Sequence, residues 1–408
     1  MRLLVVSQDF PPHVGGIQTY TLELARRLEP LCESLEVIAP HAPGARDLDD
    51  TLPFAVHRIR SSTNALAVTA VPTILVQARA GQFDAALHAQ WTTAGGSLVA
   101  RRRGSLERVF VAAHGRELLL RPAARVPVAQ RLYDVARRRM LHGADGIFAV
   151  SRYTAGLARE LGVDPGKIHV VPNGVDAARF DLPDAAERAR SFRERHDLVD
   201  RPCFATVARL QPHKGIDTGI AALPALRRRV PRATYVVVGD GPDAPRLRGL
   251  AAQLGVTAAV RFLGRVPDDE VVDALLACDA FALLSREAVP DVEGFGLVLL
   301  EAGACGRPVL GARSGGIPDA VAEDDSGLLV DPDDVPATAD ALARLLGDPE
   351  LAHRLGEGGR RRARGALSWD RAARAIYEAI TASLGEGALL AERLGVAART
   401  LGARGVER

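Results

Sequence analysis

A chain of 408 residues is too long for one ordinary core, and 47% hydrophobic with 25% charged residues suits a soluble globular enzyme of two α/β domains. Lys and Arg (52) nearly balance Asp and Glu (50), which argues against a nucleic-acid binder. The positive charge is clustered at Arg101–Arg103, Arg137–Arg139, Arg227–Arg229 and Arg360–Arg362, runs that read as solvated helix faces.

In chain order, the opening Met1-Arg-Leu-Leu-Val-Val-Ser is a short apolar run, a buried strand rather than a signal peptide. Strands are predicted at Leu3–Val6, Leu35–Ala39, Ala55–Ile59, Ala85–His88, Val109–Ala113, Gly146–Val150 and Ile168–Val171. The first helix, Gln18–Leu28, follows a turn built from Pro11, Pro12, Gly15 and Gly16. Val126–Met140 reads as a basic amphipathic helix, which either lies on an anionic membrane leaflet or packs Leu132, Val135 and Met140 inward. Pro172-Asn-Gly-Val-Asp176 is dense in turn formers, and a polar, helix-prone stretch runs on to about His196, so the linker belongs here.

A second series of strands starts at Phe204–Ala208 and continues through Thr234–Val238, Val260–Phe262, Ala280–Leu284, Pro308–Gly311 and Gly327–Val330. Helices fall between them around Thr218–Arg229, Arg246–Leu254, Asp268–Ala277, Leu297–Cys305, Ile317–Ala322 and Pro336–Leu346. The tail from Trp369 reads as helix and ends in a Gly- and Arg-rich extension expected to fray. The alternation predicts parallel sheets covered on both faces. The expected division is an N-terminal Rossmann-like domain over 1–175, completed by the helical segment 369–408, and a C-terminal one over 176–368. Two doubly wound domains would place a cleft between the carboxyl ends of their sheets. The four cysteines form no CxxC pair and read as small buried hydrophobes in a reducing compartment. No apolar stretch is long enough to span a bilayer, so the expected location is cytoplasmic, at most peripheral at the inner face of the membrane.

The chemistry concentrates in Asp291-Val-Glu-Gly-Phe-Gly-Leu-Val-Leu-Leu-Glu301. A strand leads into a polar loop, then Gly294, Phe295 and Gly296, then an apolar helix from Leu297. Unpaired N–H groups at such a helix start sit at the positive dipole end and can cradle phosphate. Were the stretch wholly helical, Glu293 and Glu301 would stand ~12 Å apart. That exceeds the roughly 5–9.5 Å of a glycosidase pair, so the two carboxylates should hold opposite ends of one long ligand. The competing structural reading is a Gly-rich turn before a buried helix. Arg209 and Lys214 follow a strand end; two cations on one loop suit a diphosphate, or are solvated loop charges. Gly15 and Gly16 precede a second helix start, and Gly239-Asp-Gly241 reads as a cleft-lining turn. His114 ends a predicted strand, where ligands collect, although a lone His is often a satisfied side chain. Asp331-Pro-Asp-Asp334 is acidic but reads as a turn capping a helix, so no metal site is expected.

Glu-x7-Glu with a central Gly-Phe-Gly resembles the hallmark of glycosyltransferase family 4, retaining enzymes of GT-B fold. Other blocks agree in order: Asp9-Phe-Pro-Pro-His-Val-Gly-Gly-Ile-Gln, Val150-Ser-Arg-Tyr-Thr, Val171-Pro-Asn-Gly-Val-Asp, Ala208-Arg-Leu-Gln-Pro-His-Lys-Gly, Val238-Gly-Asp-Gly-Pro, Phe262-Leu-Gly-Arg-Val and Ser314-Gly-Gly-Ile-Pro-Asp. The likeness runs from residue 1 to about 385. The opening block and Asp-Val-Glu-Gly-Phe-Gly are particularly similar to GDP-mannose-dependent mannosyltransferases acting on phosphatidylinositol mannosides.

The resemblance implies transfer of a hexose, mannose from GDP-mannose, to a hydroxyl of a lipid or glycan. Attack is on the front face, with the departing phosphate taking the acceptor's proton. It further implies that Glu293 binds sugar hydroxyls and that Arg209, Lys214 and the amides of Gly15, Gly16, Gly294, Phe295, Gly296 and Leu297 face the diphosphate. Glu301 would hold the ribose, the segment at Arg265–Val266 the base, and His114 would contact the sugar near the reacting centre. No cofactor or metal is expected. The alternatives are a UDP-sugar donor with a small-molecule or polysaccharide acceptor, a GT-B sugar-nucleotide epimerase, and a non-enzymatic nucleotide-sugar-binding protein. A nicotinamide-dependent oxidoreductase would explain the doubly wound pattern but neither Arg209 and Lys214 nor the paired glutamates.

Overall fold

The computed structural model describes residues 1–62, 65–80, 83–120 and 127–385. Seven parallel strands form the first sheet: β1 (Arg2–Val6), β2 (Ser34–Pro40), β3 (Ala55–Ile59), β4 (Ala85–His88), β5 (Arg108–Ala113), β6 (Gly146–Ala149) and β7 (Ile168–Val170), in the order β3-β2-β1-β4-β5-β6-β7. Six more form the second: β8 (Cys203–Val207), β9 (Thr234–Val238), β10 (Val260–Gly264), β11 (Ala280–Leu283), β12 (Val309–Ala312) and β13 (Gly327–Val330), in the order β10-β9-β8-β11-β12-β13. The order reverses between β1 and β4 and between β8 and β11. At such switch points the connecting helices diverge to opposite faces and leave a crevice at the carboxyl ends.

Burial explains the composition of each strand. Leu3, Leu4, Val5 and Val6 of central β1 are at most 3% exposed, so both faces must be apolar. Edge strands β3 and β10 tolerate His57, Arg58 and Arg261 because part of each faces water. Most strand boundaries fall within a residue of the expected ones, as in β8, which starts at Cys203 rather than Phe204.

The helix Pro349–Arg364 was not expected, because Gly356, Gly358 and Gly359 lower its intrinsic propensity. Tertiary contact demands them: a Cβ on Gly358 would lie 1.8 Å from the Asp325 carbonyl oxygen, and one on Gly359 2.9 Å from Gly303 Cα. The helix Leu297–Ala304 is buried against this partner, which is why it can be apolar on every side but that of Glu301.

Two expectations are corrected on the basic helix, which spans Pro127–Gly143; Val126 lies outside the described residues. Leu132 and Val135 do not pack inward but are 65% and 57% exposed, whereas Met140 is partly buried against the core. Arg137, read as part of a solvated run, is buried instead. Its guanidinium donates to the Leu118 and Leu120 carbonyls and pairs with Asp134 at 2.7 Å. It takes the inward position because those two carbonyls, at the end of the helix Arg116–Leu119, need donors there. Cys203, Cys278 and Cys305 are buried free thiols, and Cys32 is only half-buried; burial pushes Cys278 and Cys305 up to about 12. These thiols are unreactive by protonation state.

The chain crosses between the sheets twice, side by side: the Val175 N–H donates to the Leu367 carbonyl at 2.9 Å. Residues 369–385 then form a helix against the first half. Trp369 is 2% exposed and meets Tyr20 edge-on at 6.0 Å, and Arg108 Nε donates to Ser383 Oγ at 3.0 Å. Residues 386–408, with the extension expected to fray, lie outside the described residues. Trp369→Ala should cost about 3–5 kcal/mol in urea-unfolding free energy, as a large core truncation does. A loss under about 1 kcal/mol would mean that this helix contributes little to the first half.

Candidate active site

A cavity of about 310 Å³ opens between the two sheets at their carboxyl ends. The first half lines it with Gly16, Ile17, His114, Arg116, Glu117 and Asn173, and the second with Lys214, Glu293 and the turn Gly294–Gly296. Each contributor follows a strand end: Gly16 follows β1, His114 follows β5, Lys214 follows β8 and Glu293 follows β11.

Glu293 and Lys214 form an ion pair, Nζ donating to Oε2 at 2.7 Å, with both side chains largely buried. Beside them, Gly296 (φ +94°) starts the helix Leu297–Ala304 with no side-chain cap. Its first amides and the Lys214 ammonium therefore present two sources of positive potential to one space. Such an arrangement binds phosphate, and it stabilises negative charge growing on a departing phosphate.

His114 sits opposite. Its Nε2 lies 3.0 Å from the Ala89 carbonyl, an acceptor only, so Nε2 carries the proton and Nδ1 is left as an acceptor. Tyr20 meets the ring edge-on at 4.6 Å, and burial lowers the imidazole pKa. Glu117 holds the strand end, accepting from the His114 and Gly115 N–H groups at 2.6 and 3.3 Å. The sequence reading gave no role to Glu117 or Asn173. A signal existed for Glu117: an acid three residues after His114, in His-Gly-Arg-Glu just beyond a strand end, can satisfy the turn's amides.

The two halves meet backbone to backbone. A Cβ on Gly294 would lie 1.9 Å from the His114 carbonyl oxygen, and one on Gly316 2.8 Å from Ser151 Oγ of the first half. Within the second half, the Gly316 N–H donates to the Glu293 carbonyl at 2.8 Å and fixes that turn beside the cleft. Only residues without a side chain allow this approach.

The remaining candidates are placed apart. Arg209 is exposed and not among the residues lining the cavity. Val266, beyond β10, is partly buried against the core. Gly15 caps the helix Gly16–Leu28, and a Cβ there would meet only the flexible Gln18 side chain. Gly239 and Gly241 do not line this cavity; they abut the backbone of Ala208 and Leu210, on either side of Arg209. Glu301 lies on the helix Leu297–Ala304, outside the cavity lining, and desolvation raises its carboxyl pKa, with Arg179 opposing. Because Asp291–Gly296 is loop and turn, a helical rise applies only from Leu297 onward, and the expected ~12 Å does not describe the pair. Asp334 caps the helix Val335–Gly347 by accepting from the Ala337 N–H at 2.9 Å. A larger cavity of about 640 Å³ lies at the amino ends of β8, β11 and β12, away from these groups. Two of its arginines are already engaged, Arg193 with Asp279 and Arg360 with Glu357.

Residues 14–179 match Glycosyltransferase Family 4, and residues 188–362 match Glycosyl transferases group 1. A GDP-mannose-dependent alpha-(1-6)-phosphatidylinositol monomannoside mannosyltransferase of Mycobacterium tuberculosis is 37% identical over 377 residues, 90% of this chain and 95% of that one. The chain belongs to glycosyltransferase family 4. A GDP-mannose-dependent monoacylated alpha-(1-6)-phosphatidylinositol monomannoside mannosyltransferase of Corynebacterium glutamicum is 32% identical, over 90% of this chain and 95% of its own. Anabaena Alr3699/HepE in complex with UDP shares the fold, with a TM-score of 0.77 at 19% identity, covering 94% of this chain and 100% of that one. The fold is GT-B, and this family 4 member is a glycosyltransferase.

Two predictions follow from the geometry. Gly294→Ala should hold the halves apart, raising the radius of gyration in X-ray scattering and lowering kcat on the order of 10²-fold, as misplacement by about 1 Å does. An unchanged scattering curve with normal turnover would contradict the close approach. The second concerns His114, whose folded pKa lies below the ordinary value of about 6.5. The unfolded chain takes up that proton first, so this group's contribution to stability is complete above about pH 6.5 and is lost as pH falls below it. Stability curves from pH 7.5 to 5 should be shallower for His114→Asn than for the wild type, by up to about 1.4 kcal/mol per pH unit. Parallel curves would place the imidazole at its ordinary pKa.

Proposed function

We propose that this transferase moves mannose from GDP-mannose to a hydroxyl of a phosphatidylinositol mannoside, with retention of configuration. The observation that carries this is the 37% identity along 95% of the Mycobacterium tuberculosis enzyme, whose name states that donor and acceptor class. The site supports it chemically. Lys214 and the amides at the start of the helix Leu297–Ala304 receive the diphosphate, with Arg209 reaching in from the rim. Glu293 exchanges its Lys214 partner for sugar hydroxyls as the phosphates arrive. His114 Nδ1 accepts from a sugar hydroxyl, and the Glu301 carboxyl, whose pKa desolvation raises, accepts from the ribose hydroxyls. Transfer then rests on positioning and charge stabilisation, with the leaving phosphate accepting the acceptor's proton. The cationic side chains and helix dipole take the place of a divalent ion, so turnover should survive EDTA.

The acceptor class implies a membrane, and the first half carries a surface suited to one. Val68, Val76, Val99, Val128, Leu132 and Val135 are all exposed, at 36–75%. They lie on neighbouring helices that also expose Arg79, Arg102, Arg131 and Arg138. Apolar side chains among arginines favour insertion at an anionic leaflet. Among the described residues no helix is long and apolar enough to cross a membrane, so the contact proposed is peripheral.

Glu293→Ala, Arg209→Ala and Lys214→Ala should each lower kcat/KM for mannose transfer on the order of 10²-fold. Near-normal turnover in all three would sink the assignment. A thermal-shift screen of GDP, UDP, ADP and dTDP should show stabilisation by GDP, worth about 2.7 kcal/mol at a hundredfold excess over Kd. Stabilisation by UDP alone would replace the donor. Leu132→Asp with Val135→Asp should abolish sedimentation with phosphatidylinositol vesicles at low salt; binding unchanged in the double variant would move the contact elsewhere.

A further inference from the structure

The contacts between the two halves gather around one carboxylate that lies outside the cavity. Asp319, in Ser314-Gly-Gly-Ile-Pro-Asp, has a side chain only 11% exposed. It reaches across to the start of the helix Arg152–Glu160. One oxygen accepts from the Arg152 backbone N–H at 2.7 Å, and the other from Arg152 Nε at 2.5 Å. That helix already has a local cap: Ser151 Oγ accepts from the Thr154 N–H, and Thr154 Oγ1 accepts from the Ser151 N–H. The Arg152 N–H is a first-turn donor that this local pair leaves over, and a residue of the other half takes it. The carboxylate also sits at the positive end of the helix dipole.

Asp319 is connected to the site through three residues of backbone. The Gly316 N–H bonds to the Glu293 carbonyl, and a Cβ on Gly316 would stand 2.8 Å from Ser151 Oγ. A continuous line therefore runs from Ser151 and Arg152 through Gly316 and Asp319 to Glu293. On the same rim Arg116, two residues after His114, pairs at 2.8 Å with Asp291, two residues before Glu293. Burial, and then Glu287 of the same loop, raises the Tyr153 pKa.

We propose that Asp319 and Arg152 are a positioning pair: a cross-domain clasp that sets the separation of His114 and Glu293 and so admits transfer only when the halves are closed. The Arg152 side chain is 75% exposed, so its ion pair is screened by water. The sheltered bond to the backbone N–H carries more of the effect. Replacing Arg152 should accordingly matter less than replacing Asp319. The proposal rests on the transferase reading, since it concerns how two groups of that site are brought together.

The test compares Asp319→Ala, Asp319→Asn and Arg152→Ala with the wild type in four measurements. These are GDP affinity, kcat, the ratio of donor hydrolysis to transfer, and the radius of gyration with GDP bound. The groups proposed to hold the nucleotide, Lys214, Glu301 and the start of the helix Leu297–Ala304, lie on the second half, so GDP affinity should stay within about twofold of wild type while kcat for Asp319→Ala falls about 10- to 100-fold. Hydrolysis should gain on transfer as water enters an incompletely closed site. Asp319→Asn, which keeps an acceptor for the backbone N–H, and Arg152→Ala should both fall between. Turnover of Asp319→Ala within about twofold of wild type would overturn the clasp, and so would GDP affinity falling in step with kcat, the mark of damage to the donor site itself. If the wild type transfers no hexose, the donor and acceptor reading fails. The scattering comparison then decides the clasp, which is overturned by equal radii for wild type and Asp319→Ala.

Discussion

The approach of the Gly294 backbone to the carbonyl of His114 is the constraint on which the rest of the site depends. Two sheets that each end in a switch point can face one another at many separations. Here the absence of side chains permits a close separation, at Gly294 against the His114 carbonyl and at Gly316 against Ser151 Oγ. Side chains at these positions would push the halves apart, and the cavity would become an open groove. With the approach intact, the imidazole of one half and the Glu293–Lys214 pair of the other line the same 310 Å³. Water exclusion and the mutual placement of reacting groups both follow from that distance.

Charge is arranged by the same geometry. The Lys214 ammonium and the uncapped start of the helix Leu297–Ala304 point into one space, and Glu293 balances the ammonium there. The space therefore carries positive potential beside a carboxylate that is already paired. Burial favours the neutral form of the His114 ring opposite, and the Ala89 carbonyl, which works the other way on the pKa, fixes the ring proton on Nε2. Tyr20 and Trp369 stand behind that ring in a line of edge-on contacts, so the returning C-terminal helix supports the imidazole from a distance.

The first half carries a second kind of surface. The helix Pro127–Gly143 turns Arg137 inward to satisfy two carbonyls and leaves Val128, Leu132 and Val135 in water. The same helix packs Met140 and Leu141 inward, so the outward aliphatics are confined to its earlier turns. Their exposure is intelligible if the outward face meets something other than water.

Much was legible without coordinates. Short β-branched runs alternating with helical patterns determine parallel sheets, because such strands can be buried on both faces only under crossover helices. Glycines after strand ends, with Lys214, Glu293 and His114 nearby in those turns, mark the carboxyl ends where a ligand sits. Residues whose role depends on a distant partner were not legible. Glu117 holds amides that another group in the turn could have satisfied, Pro349–Arg364 is helical despite its glycines, and Arg209 is exposed and does not line the cavity although its loop carries Lys214. The local sequence determined which elements form and which groups they carry, since periodicity and turn chemistry act over a few residues. Only the tertiary structure decided that Gly294 touches His114 and that Asp319 caps a helix of the other half, because both contacts join residues far apart in the chain.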